Sequence, residues 1–367
     1  MQQNKYLKNL LATTSLLLSG VALLNYFADP AGIYRVPALS ADRFALELIH
    51  SETGLLLSEG MFQRRILAKA LAGYANKFDC IVIGSSHVMQ ISSFRNDKSL
   101  SGTCDHLINL GVSGASIEDH FALAFLSSKY AIPKTNFVLG IDPWTMSHNK
   151  DNRWMEYQAD YEAARLEIIA KSGSKSKYKE DNKLSKLVNL LNIEYTERSM
   201  LLLKRRLLYG PPEIQEVIVE EEVGISNPVM LPDGSHIYSS DYIKKARNSP
   251  IPIGGSEYKT AGIVSSERGV KEYLDLLRWL VSKQYTPVIL MTPYHHNVWK
   301  AHNSKNVVAM QKTEAIILSI GKELGIEVIG SYRPEMFGCR EDEFYDFMHT
   351  KASCLAKLQS RSISSDP

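Results

Sequence analysis

Five short apolar runs set the tightest limit on what this chain can fold into. They are Phe78–Gly84, His106–Leu110, Asn136–Ile141, Thr286–Met291 and Ile326–Ile329. Each is too short for a helix, and the first (FDCIVIG) and third (NFVLGI) are mostly apolar. Runs of this type are strands buried on both faces, which is how parallel sheets are used. Between them lie stretches with helical spacing: Ile117–Tyr130, Glu267–Lys283 and Val307–Leu324. In the second of these, Val270, Tyr273, Leu274, Leu277 and Leu280 form one stripe. Strands alternating with helices predict an α/β fold, a three-layer α/β/α sandwich around a five-stranded parallel sheet with strand order 2-1-3-4-5.

Two stretches stand outside that rhythm. Ser58–Tyr74 reads as a helix within a connecting segment, 31–76. Residues 150–265 read as an insertion in an α/β domain spanning 77–367. The insertion holds a loop-like SGSKSKYKED, a helix over Leu184–Tyr209 and a Pro211-Pro212 stop. Within it Pro232-Asp233-Gly234 separates two short apolar runs, as a hairpin turn does. A last short helix is expected after His349.

Leu10–Phe27 is an uncharged, mostly apolar run preceded by Lys5 and Lys8. At about 1.5 Å per residue it matches the thickness of a hydrocarbon core. Residues 1–30 therefore read as a single-pass membrane anchor. The lysines favour a cytoplasmic N-terminal side, which puts the rest of the chain on the extracytoplasmic side. A cleaved signal peptide is the competing reading, although no small-x-small cleavage site is evident.

The formal net charge is +2, and no basic cluster with interleaved aromatics occurs, so nucleic acid is not expected as a partner. The four cysteines, Cys80, Cys104, Cys339 and Cys354, form no CxxC pair and no zinc spacing. No metal or cofactor is expected. Their even number permits up to two disulfides without assigning any.

In an open parallel sheet, ligands bind beyond the carboxyl ends of the strands. There the sequence places Gly84-Ser85-Ser86-His87, Asn109 to Gly114, Gly140-Ile141-Asp142-Pro143-Trp144, Thr292-Pro293-Tyr294-His295-His296 and, past the fifth run, Asp346-Phe347-Met348-His349. Order and spacing resemble the SGNH (GDSL-like) hydrolases. Gly84-Ser85-Ser86 is similar to that family's first block, Asn109–Gly114 to its second, and Asp346-x-x-His349 to its fifth. The resemblance covers roughly half of the chain and implies a flavodoxin-like SGNH hydrolase fold.

It also implies roles. Ser86 is the nucleophile, His349 the base and Asp346 its orienting carboxylate, while the N–H groups of Ser86 and Gly114 form the oxyanion hole. The third block departs from the pattern, with Asp142 where the family has an asparagine donor. An ionised carboxylate there repels an oxyanion, so Asp142 is held protonated, or turns away, or the hole works with two donors. Trp144, His295 and His296 are candidate substrate contacts. His87 reads as a packing or hydrogen-bonding residue.

The anchor, the Ser-Ser pair and the loose third block look most like the membrane-bound members that help to acylate exported polysaccharides. The expected activity is that of a serine esterase or O-acyltransferase on acyl esters of a cell-envelope glycan, with a membrane-embedded acyltransferase as a partner by analogy. The alternative is a non-catalytic scaffold or binding subunit, which Asp142 favours. A flavodoxin-like nucleotide binder shares the strand order but requires a glycine-rich phosphate loop that Gly84-Ser85-Ser86 does not supply.

Overall fold

The computed structural model describes residues 2–29, 34, 41–57, 64–147, 153–170, 190–209, 214–218, 227–255 and 265–358. The SGSKSKYKED loop, Pro211-Pro212, residues 58–63 of the first expected helix and residues 184–189 of the second lie outside these. The described strands are β1 (Gly54–Leu56), β2 (Cys80–Ile83), β3 (Leu107–Asn109), β4 (Asn136–Gly140), β5 (Glu216–Val217), β6 (Val229–Met230), β7 (His236–Ile237), β8 (Thr286–Met291) and β9 (Glu327–Gly330). The chain is an α/β protein whose main sheet has five strands in the order β3-β2-β4-β8-β9, every pairing parallel.

Alternation along these strands builds two different faces. Ile81, Ile83, Phe137, Leu139, Ile289 and Met291 point into the main core, under helices Arg64–Ala72, Ile117–Ser128, Glu267–Ser282 and Lys305–Leu324. Their neighbours Cys80, Val82, Val138, Val288 and Leu290 face the other way. That second face carries no long helix among the described residues. Residues 88–104 and the short helix Ala352–Leu355 cover it with Val88, Ile91, Leu100, Leu355 and Leu358. The reason is local: Ser92 to Cys104 is polar and turn-rich, lacks an apolar stripe of helical period, and is tied to β2 by the Cys80–Cys104 disulfide.

Helix Gln158–Ala170 sends Tyr161, Ala164, Ile168 and Ile169 into the main core, and helix Ala41–His50 adds Phe44 and Leu48. The connecting segment and the 150–265 stretch also share a small sheet, β5-β1-β6-β7. Its hairpin turns at Pro232-Asp233-Gly234, where Gly234 has φ 76°. A β-carbon there would lie 2.6 Å from the Asn109 carbonyl, so only glycine fits this contact.

Helix Gln2–Ala28 is apolar, exposed over most of its length and long enough to cross a membrane. Its end is joined to helix Ile193–Tyr209. The buried Asn25 amide donates to the Leu190 carbonyl and to Thr196 Oγ1, both at 2.8 Å, and the Tyr195 hydroxyl donates to Asp29 at 2.7 Å.

Candidate functional site

Ser86 opens a single 3-10 turn directly after β2. That turn sits deep because three glycines make room for it. A β-carbon at Gly140 would overlap Val88 Cγ1, and one at Gly84 or Gly111 would come within 3.0 Å and 2.9 Å of the same side chain. Asn109, at the end of β3, fastens the turn from beside it. Its amide donates to the carbonyls of Val88 (2.7 Å) and Ile91 (2.9 Å), and its side-chain oxygen accepts the Gly111 N–H (2.9 Å). The Arg64 guanidinium donates to the carbonyls of Gly111 (2.8 Å) and Gly234 (2.7 Å), clamping this loop to the hairpin tip.

Within this frame Ser86 Oγ lies 2.9 Å from His349 Nε2, and His349 Nδ1 lies 2.8 Å from Asp346 Oδ2. Ser85 is committed elsewhere: buried, it caps the turn by accepting the His87 N–H at 3.2 Å. His349 stands on a tight turn. Asp346 Oδ1 accepts the N–H groups of Met348 (2.8 Å) and His349 (2.9 Å), the Tyr345 N–H donates to the His349 carbonyl, and the Cys339–Cys354 disulfide closes the loop around them. Burial pushes the Asp346 pKa up, but the His349 hydrogen bond and charge, with the two backbone donors, outweigh it and hold the carboxyl well below the usual carboxylate range. An ionised Asp346 takes the Nδ1 proton as a hydrogen bond and leaves Nε2 as the acceptor for the serine hydroxyl.

Two tyrosines from the 150–265 stretch complete the site, and no motif announced them. The Tyr242 hydroxyl donates to Asp346 Oδ2 at 2.9 Å and lies 3.1 Å from His349 Nδ1. Tyr238 packs on Tyr242 at 4.4 Å between ring centroids and lies edge-on to His349 at 5.9 Å. Burial, then the Asp346 charge, raises the pKa of both phenols, so each stays a neutral donor. The hairpin tip sets their position: Asp233 Oδ2 accepts from Ser92 Oγ (2.5 Å) and from the N–H groups of Ser93 and Phe94, while the Asp233 carbonyl accepts the Asn109 N–H at 2.7 Å. Ser239 then caps helix Ser240–Asn248, which carries Tyr242. The readable signal was Tyr238 and Tyr242 four residues apart around a serine N-cap.

Asp142 is turned onto His87. Its Oδ1 lies 2.6 Å from His87 Nδ1, both side chains are buried, and the approach is out of line for a hydrogen bond. The His87 ring is edge-on to His349 at 5.2 Å and to Trp144 at 5.5 Å. The backbone N–H groups of Ser86 and Gly114 donate to no acceptor among the described residues. Gly114 has φ 58°, a left-handed conformation that suits glycine. Trp144 is buried and donates to the Ala115 carbonyl at 3.2 Å, bracing the Gly114 loop from below.

His295 and His296 hold the segment that carries Asp346. The His295 N–H donates to the Phe347 carbonyl, its ring caps the short helix His296–Trp299, and it packs on Phe344. His296 sits between Glu335 (3.0 Å) and the Cys339 carbonyl (2.7 Å). Among the described residues no group of His, Cys, Asp and Glu is arranged to hold a metal ion.

The fold and site together describe an α/β chain with a serine, a histidine and an aspartate linked in series at the carboxyl edge of a parallel sheet. Compared with known proteins, the chain matches no family model and no curated protein.

Proposed function

We propose that the chain is a membrane-anchored, extracytoplasmic SGNH-type serine esterase or O-acyltransferase acting on acyl esters of a cell-envelope glycan. The observation that carries this reading is the unbroken series from Ser86 Oγ to His349 Nε2 and from His349 Nδ1 to Asp346 Oδ2, at 2.9 and 2.8 Å. A serine hydroxyl attacks an ester only when a base takes its proton. In this scheme Oγ bonds to the acyl carbon while its proton moves to Nε2, and Asp346 stabilises the imidazolium. The carbon–oxygen bond to the alcohol then breaks as that alcohol takes the proton. The acyl group on Ser86 passes to water or to a sugar hydroxyl, whose proton returns through His349.

The N–H groups of Ser86 and Gly114 serve as the oxyanion donors, each worth on the order of 3 kcal/mol in the barrier. With its carboxylate against His87, Asp142 is a brace for the site rather than a third donor. Support for the SGNH assignment comes from the Gly84-Ser85-Ser86, Asn109–Gly114 and Asp346-x-x-His349 blocks and from the strand order. Support for the extracytoplasmic side comes from Lys5 and Lys8 ahead of the apolar helix and from the two disulfides, which persist in oxidising compartments. The ties of Asn25 and Asp29 to the body favour a retained helix over a cleaved signal peptide. A membrane-embedded acyltransferase is the partner this reading implies.

A fluorophosphonate probe tests it. The expected result is an adduct on Ser86 in the wild-type chain and none in Ser86→Ala. A wild-type chain that stays unlabelled while folded would leave the scaffold reading, which the missing asparagine donor at Asp142 favours.

A further inference from the structure

Helix Ile193–Tyr209 has two unlike sides. Tyr195, Ser199 and Leu202, spaced i, i+4, i+7, are buried, and through Tyr195 and Thr196 the helix is bonded to the end of the apolar N-terminal helix. At 100° per residue the opposite side carries Met200, Leu201, Leu207 and Leu208, with 55, 66, 85 and 61% of their surface exposed. The N-terminal helix, joined to it at Asn25 and Asp29, exposes Leu16, Leu17 and Leu23 in the same way. Glu197 and Lys204, both exposed, interrupt this side, but so many exposed large apolar side chains on two adjoining helices mark a membrane or protein contact.

We infer that helix Ile193–Tyr209 is a second membrane element, lying in the headgroup and upper acyl region of the leaflet beside the anchor, with Met200, Leu201, Leu207 and Leu208 in lipid. Three observations favour a bilayer as the occupant. The helix adjoins one already long enough to span a membrane. The joint at Asn25–Thr196 and Asp29–Tyr195 places the start of this helix at the polar end of that span. The sequence also sets Lys204-Arg205-Arg206 beside the leucines; Lys204 shares their side, where its long stem can lie in apolar surroundings with the charge reaching the anionic headgroups. A helix so placed would hold the body against the surface at two points and stop it from swinging on a single tether. This inference is independent of the catalytic reading.

The test uses the full chain in vesicles of phosphatidylcholine and phosphatidylglycerol. The four native cysteines are paired, so a fifth can be labelled with an environment-sensitive fluorophore and exposed to lipids bearing a nitroxide on the acyl chain. Leu201→Cys and Leu208→Cys are the probes, and both positions are exposed, so the fold tolerates the change. Leu17→Cys reports the anchor. Leu166→Cys, 72% exposed on another helix, is the water-facing control. The expected result is quenching at 201 and 208 several-fold above that at 166 and comparable to that at 17, with a blue-shifted emission. Quenching at 17 alone would overturn the inference and reassign the apolar side to a protein partner. No quenching at 17, 201 or 208 would overturn it together with the anchor.

Discussion

Replacing Tyr242 with phenylalanine removes one oxygen from the site and leaves the ring that packs on Tyr238. Asp346 has four donors: two backbone N–H groups on Oδ1, and His349 and Tyr242 on Oδ2. The tyrosine hydroxyl is thus half of what Oδ2 receives. A hydrogen bond to a charged group contributes about 1.5–3 kcal/mol, and the half-buried setting of Asp346 argues for the lower end of that range. Losing that bond loosens Asp346 and, through it, the His349 ring that Asp346 orients. The assays are a urea unfolding curve and, under the proposed function, hydrolysis of an activated acyl ester. Tyr242→Phe is expected to lose about 1–2 kcal/mol of stability and to lower kcat more than it changes KM. A variant whose turnover and unfolding midpoint both coincide with the wild type would show that the hydroxyl positions nothing.

Three other substitutions probe the frame. Opening the Cys339–Cys354 bridge with paired serines releases a loop of 15 residues, and loop-closure entropy predicts a loss of about 3 kcal/mol with a larger fall in kcat than in KM, read by chemical denaturation and ester turnover. Asp119→Ala strands the buried Arg65 guanidinium, which otherwise makes contacts of 2.7 and 3.0 Å to that carboxylate, and should cost about 3–5 kcal/mol in urea. Burial, partly offset by the charges of Asp119 and Asp142, lowers the pKa of His120 from 6.5 to about 4, so the folded chain keeps this ring neutral where the unfolded chain protonates it. Its contribution is complete above pH 6.5 and is lost as the pH falls to about 4, roughly 3 kcal/mol in all. His120→Leu should flatten the stability–pH slope in that window by about one proton, and an unchanged slope would refute the assignment.

How far the sequence reaches can be judged element by element. The strands of the main sheet announced themselves because burial on both faces leaves an uninterrupted apolar run, as in Cys80–Ile83. Ser86, Asp346 and His349 were legible because the ends of parallel strands share one edge, so residues far apart in the chain become neighbours there. Tyr238 and Tyr242 were hidden for the opposite reason. Their place depends on one aspartate, Asp233, reaching Ser92 and the backbone beyond it, and on a glycine against the Asn109 carbonyl. Such contacts leave no periodicity. The expected three-layer arrangement put helices on both faces, but among the described residues no long helix covers the second one; a polar stretch such as Ser92–Cys104 signals that no amphipathic helix lies there, not what replaces it. The partner of Asp142 could not be chosen from spacing: three states were chemically open, and the nearness of His87 is a matter of how one 3-10 turn is packed.

The tethered turn bearing His349 has a consequence for when such a molecule becomes competent. With Cys339 and Cys354 reduced, the segment bearing His349 keeps its ties through Asp346, Tyr242, His295 and His296 but loses its covalent closure. Under the proposed function, oxidation outside the reducing cytoplasm adds that closure, so that the Ser86–His349–Asp346 series is held most firmly where its substrate esters are expected and least firmly among esters the cell keeps inside.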